Sequence, residues 1–197
     1  GAAALALAAQ ARWPASAAAE RWCARGPVVL GLPSGGHCDG AVVWLHGEGE
    51  DPEDWAQELM AARRGARWKI VLLRAPLARV AASGARRQVW ASSPSSLGGG
   101  GCYDAAARSV RRCLGELEAF DQVPASRVVL GGCSQGAACA LAAAHGAPGA
   151  QGLAGVVALG IQTPPEVDDA GPGRPAGGRP PCLLGPVGAG EALGAAL

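Results

Sequence analysis

The sequence predicts an α/β fold: a mainly parallel sheet with helices on both faces. From Pro27 onward short apolar runs alternate with helix-patterned stretches, which implies repeated strand–helix units. The runs are nearly continuous in Val and Leu, as expected for strands covered on both sides. A length of 197 residues, 49% of them apolar, suffices for one domain with a sizeable core and excludes a disordered chain.

Each element follows from its local pattern. Pro27–Leu32 (PVVLGL) and Ala41–Leu45 (AVVWL) read as two strands joined by a Gly-rich turn over Ser34–Gly40. Asp51–Arg64 reads as a helix, with Asp51 as cap, Pro52 in the first turn, and Trp55, Leu59 and Met60 at helical spacing. Trp68–Leu73 is a third strand, ended by Ala75-Pro76, and Ala78–Gly101 reads as irregular. Tyr103–Phe120 is a helix with Val110, Leu114 and Leu117 on one face and Arg108, Arg111 and Arg112 on the other. Arg127–Leu130 (RVVL) is a fourth strand, Ala137–Ala144 a small-residue helix closed by Gly146, and Leu153–Ile161 a fifth strand. After a Pro/Gly-rich loop over Thr163–Pro181, Cys182-Leu183-Leu184 reads as a weak sixth. Residues 1–26 form an Ala-rich extension, and 27–197 the domain.

Charge and composition exclude several classes. Seventeen basic against sixteen acidic side chains leave +1 without a basic run, which argues against a nucleic-acid binder that neutralises phosphates. Only Lys69 among the cations is Lys, and the Arg, Ala, Gly and Pro excess resembles the drift of a GC-rich genome. No apolar run reaches the about 18 residues needed to span a membrane, so no transmembrane segment is expected. Gly1–Ala11 is apolar but short and lacks a positive flank, which favours a low-complexity leader or an imperfect gene boundary over a signal peptide. The missing initial Met points to a fragment. The seven Cys, at 23, 38, 102, 113, 133, 139 and 182, form no C-x-x-C pair, so zinc ribbons and thioredoxin-type chemistry lack support. Most read as small buried hydrophobes in a reducing, cytoplasmic setting.

One motif carries chemistry. Gly132-x-Ser134-x-Gly136 lies between the apolar run RVVL and the helical stretch ACALAAAH, the context that a nucleophile elbow requires. A glycine two residues to either side lets strand and helix backbones pass closely while the serine sits in a strained turn. The hydroxyl then stands at the strand's carboxyl end, with a helix N-terminus aimed at developing negative charge.

Four blocks around this motif resemble the acyl-protein thioesterase and lysophospholipase-like carboxylesterase family of α/β-hydrolases. They are Val42–Glu50 with Trp55 (VVWLHGEGE…W), Ile70–Leu77 (IVLLRAPL), Val123–Ala140 (VPASRVVLGGCSQGAACA) and Leu153–Gly160 (LAGVVALG), in family order. The resemblance implies that Ser134 is the nucleophile taking the acyl group. It also implies that the backbone N–H of Gln135 and that of Glu48, where the family usually carries an apolar residue, form the oxyanion hole. Trp90 falls where the family places a Trp near its acyl groove. The implied function is hydrolysis of acyl thioesters or esters, such as S-acylated cysteines on proteins or lysophospholipids. The implied partners are an acylated protein or a lipid ester, with no metal and no organic cofactor.

The chain departs from the family after the sixth strand. Where the family reads His-Gly-x-x-Asp, this sequence reads Pro186-Val187-Gly188-Ala189-Gly190, with Glu191 next as a weak substitute for the acid. No His follows His145, so the fold is expected to be C-terminally truncated, lacking the last strand–helix region with the triad Asp and His. His145 lies eleven residues beyond Ser134 on the same helix, about 16 Å along its axis, and is expected to face the last carbonyls there. His46 is expected in a structural role and His37 in a solvated turn. A serine without an adjacent base is a poor nucleophile at neutral pH. The alternative is therefore an inactive relative or gene fragment that keeps the groove and binds an acyl chain or a partner.

Other features carry less. Cys133 beside the serine reads as a packed small residue, and Asp168-Asp169 as turn residues. Gly98–Gly101 lacks the G-K-[ST] of a phosphate loop. A flavodoxin-like or dinucleotide-binding module would need a Gly-rich loop after the first strand, and His46-Gly47-Glu48-Gly49 does not spell that fingerprint.

Overall fold

A computed structural model of the chain describes residues 27–31, 38–63, 67–79, 84–90, 104–146, 152–161 and 181–185. The N-terminal extension, His37, Cys23, Cys102, the glycines of 98–101, Asp168-Asp169, Gly190 and Glu191 lie outside the described residues. In order, the elements are β1 (Val28–Leu30), β2 (Gly40–Leu45), a 3-10 turn (Pro52–Trp55), α1 (Ala56–Ala62), β3 (Trp68–Leu73), β4 (Leu77–Arg79) and β5 (Arg86–Gln88). They continue with α2 (Asp104–Asp121), a second 3-10 turn (Ala125–Arg127), β6 (Val128–Cys133), α3 (Gln135–Gly146), β7 (Gly155–Leu159) and β8 (Cys182–Gly185).

Six strands form one sheet in the order β1-β3-β2-β6-β7-β8. All neighbours run parallel except β1, which pairs antiparallel with β3 through Val29↔Val71. The alternating pleat divides the strand residues between two cores. Val43, Leu45, Val71, Leu73, Leu130 and Ala158 face α2 and α3, where Val110, Leu114, Leu117, Ala140 and Leu141 cover them. Val42, Trp44, Ile70, Leu72, Val157 and Leu159 face the other way, onto Leu59 and Ala62 of α1. This is the mainly parallel sheet with helices on both faces that the unbroken Val/Leu runs predict. Burying each such side chain contributes about 1.5–3 kcal/mol. The Arg face of α2 is exposed at Arg108, Arg111 and Arg112, as its spacing predicts. No helix among the described residues is long and apolar enough to cross a membrane.

Both of the first two strands are present, and β3 lies between them, because the fully buried β2 takes parallel partners on both edges, leaving short β1 to end the sheet. Two expectations need correction. The helix expected over 51–64 starts as a 3-10 turn, with Pro52 in its first position and Asp51 as its N-cap, and becomes α-helical only at Ala56. The stretch expected to be irregular over 78–101 contains a hairpin, β4 with β5, in the register Leu77↔Gln88 and Arg79↔Arg86. Neither LAR nor RRQ shows the apolar alternation that marks a strand.

A buried ion pair ties the sheet to α2. Lys69 on β3 is 6% exposed, and its Nζ stands 2.5 Å from Oδ2 of Asp121 at the helix end. Removing one partner strands a charge in the interior, whereas replacing both with apolar groups does not. Asp121→Ala is therefore expected to destabilise the domain by about 3 kcal/mol in urea unfolding, and Lys69→Met/Asp121→Leu to recover most of that loss.

Candidate active site

Strand β6 turns into α3 through a single residue, Ser134, whose φ is +51°. That left-handed conformation costs a non-glycine residue of the order of 1 kcal/mol or more, so the surroundings must enforce it. They do so by crowding. A Cβ on Gly136 would lie 2.1 Å from the Leu45 carbonyl oxygen and 2.5 Å from that of His46. One on Gly132 would lie 2.5 Å from the Gly136 carbonyl carbon and 2.7 Å from the Leu45 oxygen. Only glycines fit where the strand, the helix and the end of β2 pass each other. The turn is pinned by the Ser134 N–H donating to the Leu159 carbonyl on β7 at 2.8 Å. Ser134 is exposed, at the carboxyl end of a central strand and directly before the N-terminus of α3.

The loop after β2 lies against this turn. His46 is fully buried; its Nδ1 lies 2.7 Å from the Gly47 carbonyl and its Nε2 3.1 Å from the Ala75 amide nitrogen. A carbonyl only accepts and an amide N–H only donates, so the ring is neutral with its proton on Nδ1. Glu50 closes the loop: its Oε2 accepts the Gly47 N–H at 2.8 Å and the Trp55 indole N–H at 2.9 Å. Trp55 in turn packs on Trp44 of β2, ring centroids 4.8 Å apart. The Gly49 N–H donates to the Gln88 carbonyl of β5 at 2.9 Å. None of these bonds uses the N–H of Glu48, whose residue is exposed.

Trp90 joins the pieces. It is 2% exposed; its backbone N–H donates to Oε1 of Gln135 at 2.6 Å and its indole N–H to the His46 carbonyl at 2.8 Å. Its ring packs against that of His46 at 5.4 Å. Of the residues singled out from sequence, the structure thus brings together Ser134, Gln135, the loop carrying Glu48, and Trp90. The sequence reading missed Glu50, the Gln135 side chain and the β4–β5 hairpin. Only the three-residue spacing from Gly47 to Glu50, one short loop, hints at the first.

The two described histidines, His46 and His145, stand apart from Ser134 chemistry. Both ring nitrogens of His46 are engaged, and His145 sits in the last turn of α3, far from the serine that precedes its first turn. Cys133 is buried beneath the turn, and burial pushes its thiol up to about 11, so it packs as a neutral group. Among the described residues no cluster of His, Cys, Asp and Glu could hold a metal ion.

A family profile described as phospholipase/carboxylesterase matches residues 34–168, more than half of the sequence and all of the turn just described. The chain belongs to the phospholipase/carboxylesterase family. Among solved structures this family member resembles acyl-protein thioesterase 2 of Zea mays, with 26% identity and a TM-score of 0.55. The match covers 70% of this chain and 62% of the maize protein. SOBER1 of Arabidopsis thaliana matches at 23% identity and TM-score 0.54, covering 64% of this chain and 62% of that one. A carboxylesterase of Mesorhizobium loti matches at 15% and 0.54, over 68% and 60%. The last two likenesses concern the fold alone. The chain thus spans less than two thirds of each of these relatives. Among curated proteins, none matches it by sequence.

Burial holds the His46 ring below the ordinary histidine range. The unfolded chain therefore binds a proton near pH 6.5 that the folded chain refuses, and stability falls as pH drops below that value. The expected slope is up to about 1.4 kcal/mol per pH unit, read by urea unfolding between pH 7.5 and 5. His46→Phe is expected to lower stability at pH 7.5, because it removes the buried acceptor of the Ala75 N–H and the donor to the Gly47 carbonyl, and to remove most of this slope.

Proposed function

We propose that this family member is a serine hydrolase that cleaves acyl esters or thioesters through an acyl-enzyme on Ser134. The observation that carries the reading is the glycine-flanked turn, which sets an exposed serine in a left-handed conformation before α3. In this reading the Ser134 oxygen attacks the carbonyl carbon, the bond to the alcohol or thiol breaks as the serine's proton passes to the departing oxygen or sulfur, and water then releases the acid and returns a proton to Ser134. The oxyanion forms beside the backbone N–H groups of Gln135 and Glu48, and the dipole of α3 favours charge there. Such preorganised donors supply about 3–4 kcal/mol each in acyl transfer. Trp90 holds the β5 side of the groove against both donor segments. The substrate class suggested by the resemblance and by the maize thioesterase is an acylated protein or a lipid ester.

A second reading rests on a separate observation: neither His46 nor His145 reaches Ser134. An elbow without a base keeps its oxyanion donors but not its nucleophile, and binds acyl groups without turning them over.

Labelling with a fluorophosphonate probe separates the two. The hydrolase reading predicts covalent labelling at pH 7.5 that disappears in Ser134→Ala, with the adduct on the Ser134 peptide by mass spectrometry. A folded sample that never labels overturns the hydrolase reading and leaves Ser134 without an activating base.

A further inference from the structure

We infer that the Trp90 indole and the Gln135 carboxamide are positioning groups. Together they form a strut that fixes the loop carrying Glu48 against the first residue of α3, and so set the gap between the two oxyanion donors. The use of that gap rests on the hydrolase reading, whereas the strut itself rests on geometry alone. The donor N–H groups belong to segments far apart in the chain, one after β2 and one after β6. Their strands pair only as far as Leu45↔Gly132, so the ladder stops short of both donors. Trp90 spans the remainder. Its indole N–H donates to the His46 carbonyl at 2.8 Å, two residues before Glu48. Its backbone N–H donates to Oε1 of Gln135 at 2.6 Å, on the residue whose own N–H is the other donor. One residue thus holds both sides.

The strut has little freedom. Trp90 is 2% exposed and its ring packs on that of His46, centroids 5.4 Å apart, so burial restricts its side-chain torsions. Its backbone is held as well. The Val89 N–H donates to the Pro76 carbonyl at 3.0 Å, and the Gln88 carbonyl accepts the Gly49 N–H at 2.9 Å. The latter bond returns to the far side of Glu48, so that residue is bracketed by one bond at His46 and another at Gly49. The same burial separates this role from that of a groove wall. A ring so enclosed presents no face to an acyl chain, so Trp90 acts on the carbonyl end of an ester and not on the length of its chain. A misplacement of about 1 Å costs up to about 100-fold in rate, which makes a two-bond strut consequential.

The test offers p-nitrophenyl acetate, butyrate and octanoate to wild type, Trp90→Phe, Gln135→Met and the double variant, with Ser134→Ala as the blank. Hydrogen exchange of the Gly47 and Gly49 amides is followed by NMR in the same proteins. Trp90→Phe keeps a packed ring and loses the indole N–H, and Gln135→Met keeps the shape and loses the acceptor. Acylation and deacylation pass through the same hole, so kcat is expected to fall about tenfold in each single variant with KM within about twofold, equally for the three esters. The double variant is expected to lose about as much as either single one, since breaking either bond opens the same strut. Both amides are expected to exchange about tenfold faster. Should Trp90→Phe not fold, Gln135→Met carries both readouts. An unchanged kcat in folded variants overturns the strut, as does a loss that grows with acyl length, which makes Trp90 a groove wall. If wild type turns over none of the esters, exchange decides. Faster exchange of the Gly49 amide in Gln135→Met, a change across the gap from the loop, upholds the strut and defeats the hydrolase reading, and unchanged exchange defeats both.

Discussion

Two backbones cross at van der Waals distance where β6 turns into α3, and the rest of the candidate site is arranged around that crossing. The carbonyls of Leu45 and His46 occupy the space that a side chain at position 136 would need. Because Gly132 and Gly136 leave it open, β2 and β6 stay paired up to Leu45↔Gly132, and the loop after β2 emerges beside the serine. The strain at Ser134 is the local cost. Sheet pairing on both sides of β6 and two helices packed over it hold the turn in place against that cost.

The second layer is a set of side chains that make no contact with a substrate in the proposed reaction yet decide where the loops lie. His46 links the loop to the end of β3 through Ala75, Glu50 folds the loop back on Trp55, and Trp90 ties it to the first residue of α3. Each bond pairs a buried or half-buried polar group that would otherwise be costly, so the network adds definition more than net stability. The same network makes His46 an acid-labile element and not a catalytic one. Its imidazole accepts from an amide N–H, and protonation would set two donors against each other.

Much of this was legible in the residues, for a physical reason. Strands buried on both faces are apolar at almost every position, so VVL of β6 and IVLL of β3 announce themselves even with the ion-paired Lys69 beside the latter, and a close backbone crossing requires glycine at fixed spacing around the serine. What the sequence concealed is non-local. Nothing near Lys69 signals Asp121, fifty-two residues away, and nothing in Val28–Leu30 says that its partner is β3 and not the strand that follows it. The β4–β5 hairpin is built from Leu, Ala, Arg and Gln, and its position depends on bonds from Gly49, Gln135 and His46, not on an apolar face of its own. Trp90 was legible as a position of interest, but its burial and both of its hydrogen bonds were not.

The measurement that bears most directly on the crossing is the unfolding free energy of Gly136→Ala, with Ala137→Gly as a control. In an ordinary helix, replacing glycine by alanine stabilises by about 1 kcal/mol. Here the new methyl group would meet two backbone carbonyls that have nowhere to go. The account predicts the opposite sign: a loss of at least about 3 kcal/mol, or no cooperative unfolding at all. A Gly136→Ala protein as stable as the parent, or more so, would show that β2 and α3 do not meet at this point, and would remove the basis for placing Ser134 beside the Glu48 loop.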